Sequence, residues 1–442
     1  MNKPVLYVVH CIDTEGPMDE DIYATFQRIG ELFNVWLEPS EKTLKQLQNM
    51  EIKLNGKEQE IAQVISPKLL NYNRSWDDIE HMLNSALSEE FRNQLCDDFD
   101  NGWVYSWHCV DHMGFAENPR RKDIGYGKIF DFYQNILDRT NSHQDELNWH
   151  FHPLSLTGNP LSAATSYNNN MSLLLDIIAR RIIEHQWFPT TSRPGFHSER
   201  PDSHAFMEQW IPFDYANQSI KGECLQQNDT ECGRFGDWRW APQNWLGYHP
   251  HHDDYQQKGN CRRWIFRCLN LGTRLRLLTR EHLVESFNDA RSYGSAIVAF
   301  ANHDYRDIRP DVQYMRKLIA EVRQKYPDVQ ICFAGAEEAA RRHIERIEPE
   351  VYKQPPVFKI HIQNGRLHVY LDSGSLFGPQ PFLAIKSRDG HYFHDNFDVI
   401  KNGQHWSYVF DEHTLKLNDV DTVGVGGAGQ CGGYHVALYP VD

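Results

Sequence analysis

Two carboxylates follow the first apolar run of the chain. The run VLYVV (5–9) leads into HCIDTEGP, which places Asp13 and Glu15 one residue apart at the end of a strand that is predicted to be buried. Two carboxylates at this separation repel each other, so each needs a proton, a cation or a basic partner. The pair is typical of a base and a metal ligand that share one site. Solvation in a loop, or capping of a following helix, is the alternative.

Two histidines alternate in NWHFHP, at positions His150 and His152. Because residues i and i+2 of a strand point to the same face, both imidazoles can reach one metal ion. With Glu15 they make a set of one carboxylate and two histidines, which leaves coordination positions for water and substrate, as a catalytic zinc site requires. Nickel, cobalt or iron fits the same set. Structural or surface histidines are the alternative.

Arg193 and His303 are candidates for catalytic roles beside this pair. Arg193 in SRPGF precedes Pro194, which restricts the backbone, and its guanidinium would hold the Asp13 carboxylate ionised as a base. His303 ends the apolar run SAIVAFA and would act as a general acid. An ordinary capping arginine and a core histidine are the alternatives.

Other polar clusters are candidates for contacts with a substrate. Their members are His108, Asp111 and His112 in WHCVDH, Asp214 in FDYA, His251 in YHPHHDD and Asp304 in NHDYRD. A second cation site, or solvated loops, would explain WHCVDH and YHPHHDD equally well. Trp238, Trp240 and Trp245 would stack on sugar rings or pack in the core.

These polar groups follow strand-like runs that alternate with helical segments. The runs at 5–9, 103–110, 146–152 and 295–303 are separated by segments with apolar residues on a 3.6-residue period, such as MSLLLDIIARRIIEHQW. This alternation predicts an α/β fold with parallel strands and helical crossovers. Active sites of such folds lie at the carboxyl ends of the strands, where the polar clusters fall. The segment from about residue 217 to 275 is predicted to be irregular.

The pattern changes after Pro355 and Pro356. Short alternating runs such as VFKIHI and RLHVYLD follow, and Asn364-Gly365 between these two is a strong hairpin signal. We therefore expect a barrel or open sheet over 1–350 and a small all-β, sandwich-like domain over 355–442 that docks on it. The glycines of VGVGGAG match a dinucleotide-binding spacing, but YHVALYP after them is strand-like, which predicts a sandwich turn instead.

Composition limits the classes of partner and compartment. The 442-residue chain carries a formal charge of −15, which disfavours nucleic acid as a partner. Its nine cysteines form no CxxC pair and are expected to be reduced thiols. The first residues resemble neither a signal peptide nor a membrane span, so the expected location is the cytoplasm. The oligomeric state is left open.

In order along the chain, IDTEGP, WHFHP, SRPGF, FDYA and FANH resemble the motifs of the polysaccharide deacetylase family (chitin-deacetylase-like, carbohydrate esterase family four). The resemblance covers about residues 1–345 and implies a distorted (β/α) barrel. The family usually has two adjacent aspartates and an HxxxH motif, whereas this chain has Asp-Thr-Glu and HxH. These variants resemble a divergent subgroup linked to bacterial surface-polysaccharide biosynthesis.

The resemblance implies an enzyme that removes an N-acetyl or other acyl group from an amino sugar. The expected substrate is a small-molecule or lipid-linked precursor of a surface polysaccharide such as an O-antigen. A divalent ion would be held by Glu15, His150 and His152, with Asp13 as base and His303 as acid. A non-catalytic carbohydrate-binding protein on the same fold, or a metal-independent amidohydrolase, is the alternative.

Overall fold

Seven parallel strands close into a barrel, which confirms the predicted α/β barrel with an all-β C-terminal part. The computed structural model describes residues 3–112, 127–157, 166–221, 236–274 and 276–441, except for the side chain of His112. In barrel order the strands are β1 (Val5–Thr14), β2 (Ser106–His112), β3 (Glu146–His152), β4 (Thr191–Ser192), β5 (Phe213–Asn217), β6 (Trp264–Asn270) and β7 (Ser295–His303).

Strand β1 has three partners in this sheet, and all ten of its residues are buried. It pairs with β7 along most of its length, from Val5–Ser295 to Asp13–His303. On its other side it pairs with β2 only over 11–14, because an eighth strand, β8 (Gln330–Phe333), occupies the edge over 5–8. The barrel is therefore closed at the carboxyl ends of its strands and is distorted at the amino ends.

The second edge of β8 is covered by the segment just before β2. The carboxylates of Asp97 and Asp98 accept hydrogen bonds from the backbone N–H groups of Phe333 (2.8 Å) and Ile331 (2.7 Å). The backbone N–H of Asp98 donates to the carbonyl of Ile331 at 3.1 Å. Side chains and loop backbone thus replace the strand that would otherwise continue the sheet.

Helices cover the outside of the barrel. They are α1 (Ile22–Phe33), α2 (Glu41–Gln48), α3 (Glu58–Val64), α4 (Trp76–Ala86), α5 (Glu89–Arg92), α6 (Lys128–Arg139), α7 (Met171–His185), α8 (Pro201–Trp210), α9 (Arg280–Tyr293), α10 (Arg309–Arg323) and α11 (Ala336–Ile347). Helices α1 to α3 bury a small core of their own, with Phe26, Ile29 and Ile61 among its members. Within the described ranges, none of the helices has the length and apolar character needed to cross a membrane.

Strand β6 lies inside the segment that the sequence predicts to be irregular. Its seven residues, WIFRCLN, are all buried, so that prediction is wrong over 264–270. The apolar pattern is hidden by Arg267, whose guanidinium donates to the carbonyls of Ser219 (2.9 Å) and Gln243 (2.6 Å). A charged side chain can occupy a buried strand when backbone carbonyls accept its hydrogen bonds. The hydrophobic pattern of the strand does not show that these carbonyls are nearby.

The C-terminal part contains two four-stranded antiparallel sheets. Their strands are β9 (Val357–Gln363), β10 (Arg366–Ser373), β13 (Asp398–Lys401) and β14 (His405–Val409) in one sheet, and β11 (Phe382–Ser387), β12 (Tyr392–Asp395), β15 (Val420–Ala428) and β16 (Tyr434–Pro440) in the other. The predicted hairpin joins β9 to β10, with positive φ at both Asn364 (52°) and Gly365 (71°), as a tight primed turn requires.

Glycines 424 and 426 lie within strand β15, so the predicted turn is wrong at these positions. Their place in the strand follows from the close approach of helix α7. A β-carbon on Gly424 would lie 2.6 Å from the side chain of Ile182, and one on Gly426 would lie 3.0 Å from it. The glycines therefore let the sheet pack directly against the barrel helix.

The second sheet docks on α7 and α8 through apolar and aromatic groups. Phe382 lies against Trp210 (ring centroids 5.1 Å apart) and Phe188 (6.2 Å). The guanidinium of Arg180 lies 4.3 Å from the ring centroid of Tyr392. Phe382 and Ala384 belong to the same buried cluster as the barrel core, so the docking expected from the run PFLAI is present.

Truncation of the chain after residue 350 tests this packing. The loss of Phe382 and its neighbours would leave Phe188, Trp210 and Ile182 exposed, and apolar surface of this kind promotes association. We expect lower solubility, self-association in analytical ultracentrifugation and a lower melting temperature. A truncated chain that remains monomeric with an unchanged melting temperature would contradict the docking.

Candidate metal centre

The carboxyl ends of β1, β3 and β7 bring four of the predicted residues together. Asp13 is in register with His303 of β7 and with His108 of β2. His150 and His152 alternate on β3 as predicted, so that both side chains point into the barrel. Glu15, His150 and His152 form a buried group whose ligand atoms all lie within 4.8 Å of one another.

The backbone carbonyl of Arg193 fixes the tautomer of His150. The Nδ1–H of His150 donates to the backbone carbonyl of Arg193, which leaves Nε2 of His150 with its lone pair free. That atom lies 2.9 Å from Nε2 of His152. Burial lowers the pKa of His150 well below its ordinary value, and the charges of His152 and Arg193 lower it further. A neutral imidazole fixed through Nδ1 is the form that binds a metal.

Glu15 completes the group from a turn that follows β1. Its Oε1 lies 3.5 Å from Nε2 of His152 and 3.7 Å from Nε2 of His303. One carboxylate and two imidazole nitrogens, all buried, form a donor set that fits a divalent zinc or iron ion with coordination positions left for substrate. The chain can therefore bind a metal ion here.

Asp304 fixes the turn that carries Glu15. Its carboxylate accepts hydrogen bonds from the backbone N–H groups of Glu15 (2.8 Å) and Gly16 (3.1 Å) and from the hydroxyl of Tyr133 (2.9 Å). Gly16 has a φ of 72°, which a side chain would strain. Asp304 was predicted to bind substrate. That role stays a prediction, while its observed contacts position Glu15.

Asp13 lies beside the metal group and forms a buried ion pair with Arg193. Its Oδ2 is also 3.6 Å from Nε2 of His303, while its Oδ1 lies 3.8 Å from Nδ1 of His150 and has no hydrogen-bond partner in the described part of the chain. Burial raises the pKa of Asp13 to about 6, against the opposing attraction of Arg193. The site thus holds a carboxylate with one oxygen fixed and the other available to a proton.

A strained turn after Arg193 supports the second histidine. Phe196 and His197 both have positive φ (55° and 49°), although neither is glycine. The ring of Phe196 meets that of His152 edge-on, with centroids 4.7 Å apart. A β-carbon at Gly195 would lie 2.5 Å from the His152 ring. The sequence did not predict the role of Phe196 and His197. Phenylalanine and histidine rarely adopt the left-handed backbone conformation, and nothing in RPGFH indicates it.

His108 also points into the barrel, at the level of Asp13. It is buried, and its Nε2 has no hydrogen-bond partner among the described residues. Burial lowers the pKa of His108 to about 3, and the charge of Arg193 lowers it further. The imidazole is therefore neutral. Its predicted contact with substrate stays a prediction.

Asp111 and Asp214 lie in buried ion pairs away from the metal group. Asp111 alternates with His108 and so faces outward, where Arg181 of α7 contacts it at 2.9 Å. Asp214 binds Arg263 at 2.6 Å, and Arg263 also binds Glu199 at 2.8 Å. These partners were not predicted. The substrate roles of both aspartates stay predictions.

The remaining predicted residues lie apart or outside the described region. His251 is exposed, and its Nδ1 accepts a hydrogen bond from the backbone N–H of Asp253 in its own loop. The side chain of His112 is outside the described residues. Trp238 and Trp245 are buried, as the core interpretation predicts, whereas Trp240 is 56% exposed.

The comparisons with family models and with curated protein sequences give no relative from which a function can be transferred. No family model matches the chain, and no curated protein sequence matches it significantly. What the structure establishes is a closed barrel with a buried Glu15–His150–His152 group that can hold a metal ion.

Metal analysis of the purified protein tests this group. We expect about one divalent ion per chain, and a content near zero in His150→Ala and His152→Ala, because each variant removes one of three protein ligands. His361→Ala, on strand β9, is the matched control and should keep the full content. Wild-type protein that takes up no zinc, nickel, cobalt or iron after soaking would contradict the assignment.

Asp304→Asn tests how the Glu15 turn is positioned. A carboxamide cannot accept all of the hydrogen bonds that the carboxylate accepts, so we expect a loss of about 1–3 kcal/mol in unfolding free energy. We also expect about 10–100-fold weaker metal binding in calorimetry, as for other groups that orient a ligand. Asp307→Asn, three residues away and paired with Arg309, should change neither. Unaltered metal affinity in Asp304→Asn would show that the turn holds without this carboxylate.

Proposed function

We propose that this protein is a metal-dependent hydrolase that removes an N-acetyl or related acyl group from an amino sugar. The observation that carries the proposal is the convergence of Asp13 and His303 on the Glu15–His150–His152 group. A base, an acid and a metal-binding set then border the same space, within 3.5–3.8 Å of one another. The order of the five sequence motifs supports a divergent branch of the polysaccharide deacetylase family.

A divalent ion held by Glu15, His150 and His152 would polarise the amide carbonyl and lower the pKa of an attacking water. Asp13 accepts the proton of that water at its unpaired Oδ1. Arg193 keeps the other oxygen of Asp13 in place and favours its ionised form. Asp13 therefore transfers the proton, and Arg193 orients Asp13.

His303 is placed to donate the second proton. Its Nε2 lies between Oδ2 of Asp13 (3.6 Å) and Oε1 of Glu15 (3.7 Å). An imidazolium at this position would be flanked by two carboxylates. As the C–N bond breaks, the departing nitrogen takes a proton from this imidazolium and leaves as an amine, while the acyl carbon leaves as acetate. One water is consumed, and the proton held by Asp13 passes to His303, 3.6 Å away, before the next turnover.

We assign the substrate to precursors of bacterial surface polysaccharide, and the protein to the cytoplasm where such precursors are made. The support is the resemblance of the DTE and HxHP variants to deacetylase-like proteins of that biosynthesis. The −15 formal charge supports a small-molecule or lipid-linked sugar rather than nucleic acid.

Acetate release from N-acetylated amino sugars tests the mechanism. Asp13→Asn is expected to lower the turnover rate about 10²–10⁴-fold, because general base catalysis is lost while the metal ligands remain. His303→Ala should lower it to a similar extent. Asp398→Asn, at an exposed position of strand β13 in the C-terminal part, is the control and should retain full activity.

Two outcomes would reject the proposal. Acetate release that survives both chelation and Asp13→Asn would show a different, metal-independent amidohydrolase. Sugar binding by a metal-loaded protein that releases no acetate from any N-acetylated sugar would show a binding protein that retains the fold without the chemistry.

A further inference from the structure

Next to His303 lies a group of cations with few anions to balance them. We define the Tyr72 cluster as Tyr72, Arg28, Arg274 and Arg306. Arg274 donates to the hydroxyl of Tyr72 at 3.1 Å, and the guanidinium of Arg306 lies 5.3 Å from the centroid of the Tyr72 ring. In a protein with a formal charge of −15, three guanidinium groups around one phenol are unexpected, because like charges repel unless an anion separates them.

The carboxylate of Glu20 accounts for one of these charges. Glu20 forms an ion pair with Arg28 and accepts a hydrogen bond from the hydroxyl of Tyr72 at 3.4 Å. Arg274 and Arg306 have no carboxylate partner within the described residues. Their Nε atoms donate instead to the backbone carbonyls of Val64 (3.1 Å) and Leu69 (3.0 Å). The cluster therefore carries an excess of positive charge.

Arg306 also has donor capacity that the protein leaves unused. Its side chain is held between the rings of Tyr72 and Tyr305, and the residue is only 8% exposed. Its second terminal nitrogen, Nη2, has no hydrogen-bond partner among the described residues. A buried guanidinium donor without a partner is costly unless a ligand completes it.

The pKa of the Tyr72 hydroxyl also reflects the excess positive charge of the cluster. Burial alone would raise the pKa of this phenol. Arg274, Arg28 and Arg306 together lower it to about 8. The local potential is thus positive enough to stabilise an anion at the position of the hydroxyl.

A stack of rings connects the Tyr72 cluster to the proposed active site. The centroids of Tyr72 and Tyr305 are 6.0 Å apart, and those of Tyr305 and His303 are 4.7 Å apart. Tyr305 therefore lies between the Tyr72 ring and the imidazole of His303 and contacts both. In an N-acylated amino sugar the amide on C2 and the anomeric oxygen on C1 are on neighbouring carbons.

We propose that Arg274, Arg306 and Tyr72 form a subsite for the phosphoryl group of a sugar diphosphate. Guanidinium groups match phosphate oxygens with paired, charge-assisted hydrogen bonds, and two of them neutralise the dianionic portion of a diphosphate. The assignment of the ligand to the substrate rests on the proposed function, whereas the anion site rests on the cluster itself. Either a nucleotide or a lipid provides this diphosphate.

Calorimetry on the metal-loaded, full-length Asp13→Asn protein tests the subsite without turnover. The probes are inorganic diphosphate, UDP-N-acetylglucosamine and free N-acetylglucosamine. Substitution Arg274→Gln in this background should weaken both diphosphate-containing probes about tenfold or more and leave the free sugar unchanged. The matched control is Arg316→Gln, at a buried arginine stacked on Phe91 and Trp103, which should bind all three probes as the parent does.

Two results would overturn the subsite. The first is failure of the parent protein to bind inorganic diphosphate. The second is equal affinity of Arg274→Gln and its parent for UDP-N-acetylglucosamine. Since the metal group is intact in both proteins, phosphate bound at the metal alone would give that second result. If diphosphate binding depends on Arg274 but the wild-type protein has no deacetylase activity, the anion site is supported and only the proposed function is rejected.

A second readout follows the phenol directly. A bound diphosphate neutralises the surrounding guanidinium groups and should raise the pKa of Tyr72, which lowers tyrosinate absorbance near pH 8. The difference between the parent and Tyr72→Phe isolates this change from the other tyrosines. An identical absorbance change in Tyr72→Phe would contradict the location. A competition experiment then compares the affinities of UDP-N-acetylglucosamine and a short polyprenyl diphosphate N-acetylglucosamine. The ligand that binds more tightly identifies whether a nucleotide or a lipid carries the diphosphate.

Discussion

The centre of the site depends on one residue that acts at two points. The side chain of Arg193 binds Asp13, and its backbone carbonyl accepts the Nδ1–H of His150. A shift of this residue would therefore change the orientation of the proposed base and of a proposed metal ligand together. Its guanidinium also contacts Asn270 on β6 at 3.3 Å, which fixes it from the far side of the barrel. A buried charge pair is stable only with such additional partners, because desolvation opposes it.

Strand β1 provides the frame for this arrangement. It is the only strand described here that pairs with three others, and its register with β7 sets Asp13 level with His303. The distortion at the amino end therefore leaves the carboxyl end regular, where β2, β1 and β7 are adjacent. Asp13, His150, His152 and His303 come from segments far apart in the chain, and the parallel pairing of their strands brings them to one edge.

The sequence predicted the parts of the site that follow from local pattern. Asp13, His150, His152 and His303 end apolar runs, and parallel strands had to place them at one edge. It did not predict the role of Asp304 or the backbone of Phe196 and His197, because these depend on contacts between distant segments. Strand β6 was missed for a similar reason, since the carbonyl partners of Arg267 are remote in sequence. The excess charge around Tyr72 likewise emerges only when residues 28, 72, 274 and 306 meet.

The cover over strand β8 has a consequence for how the molecule behaves in a crowded solution. An open edge of a parallel sheet offers unpaired N–H and C=O groups to any extended chain that approaches. Here the carboxylates of Asp97 and Asp98 already occupy the N–H groups of Phe333 and Ile331. A strand from another molecule would have to displace two carboxylates and bring its own carbonyls to the same place. The edge of β8, the third partner of β1, is therefore protected from the addition of a strand from another molecule.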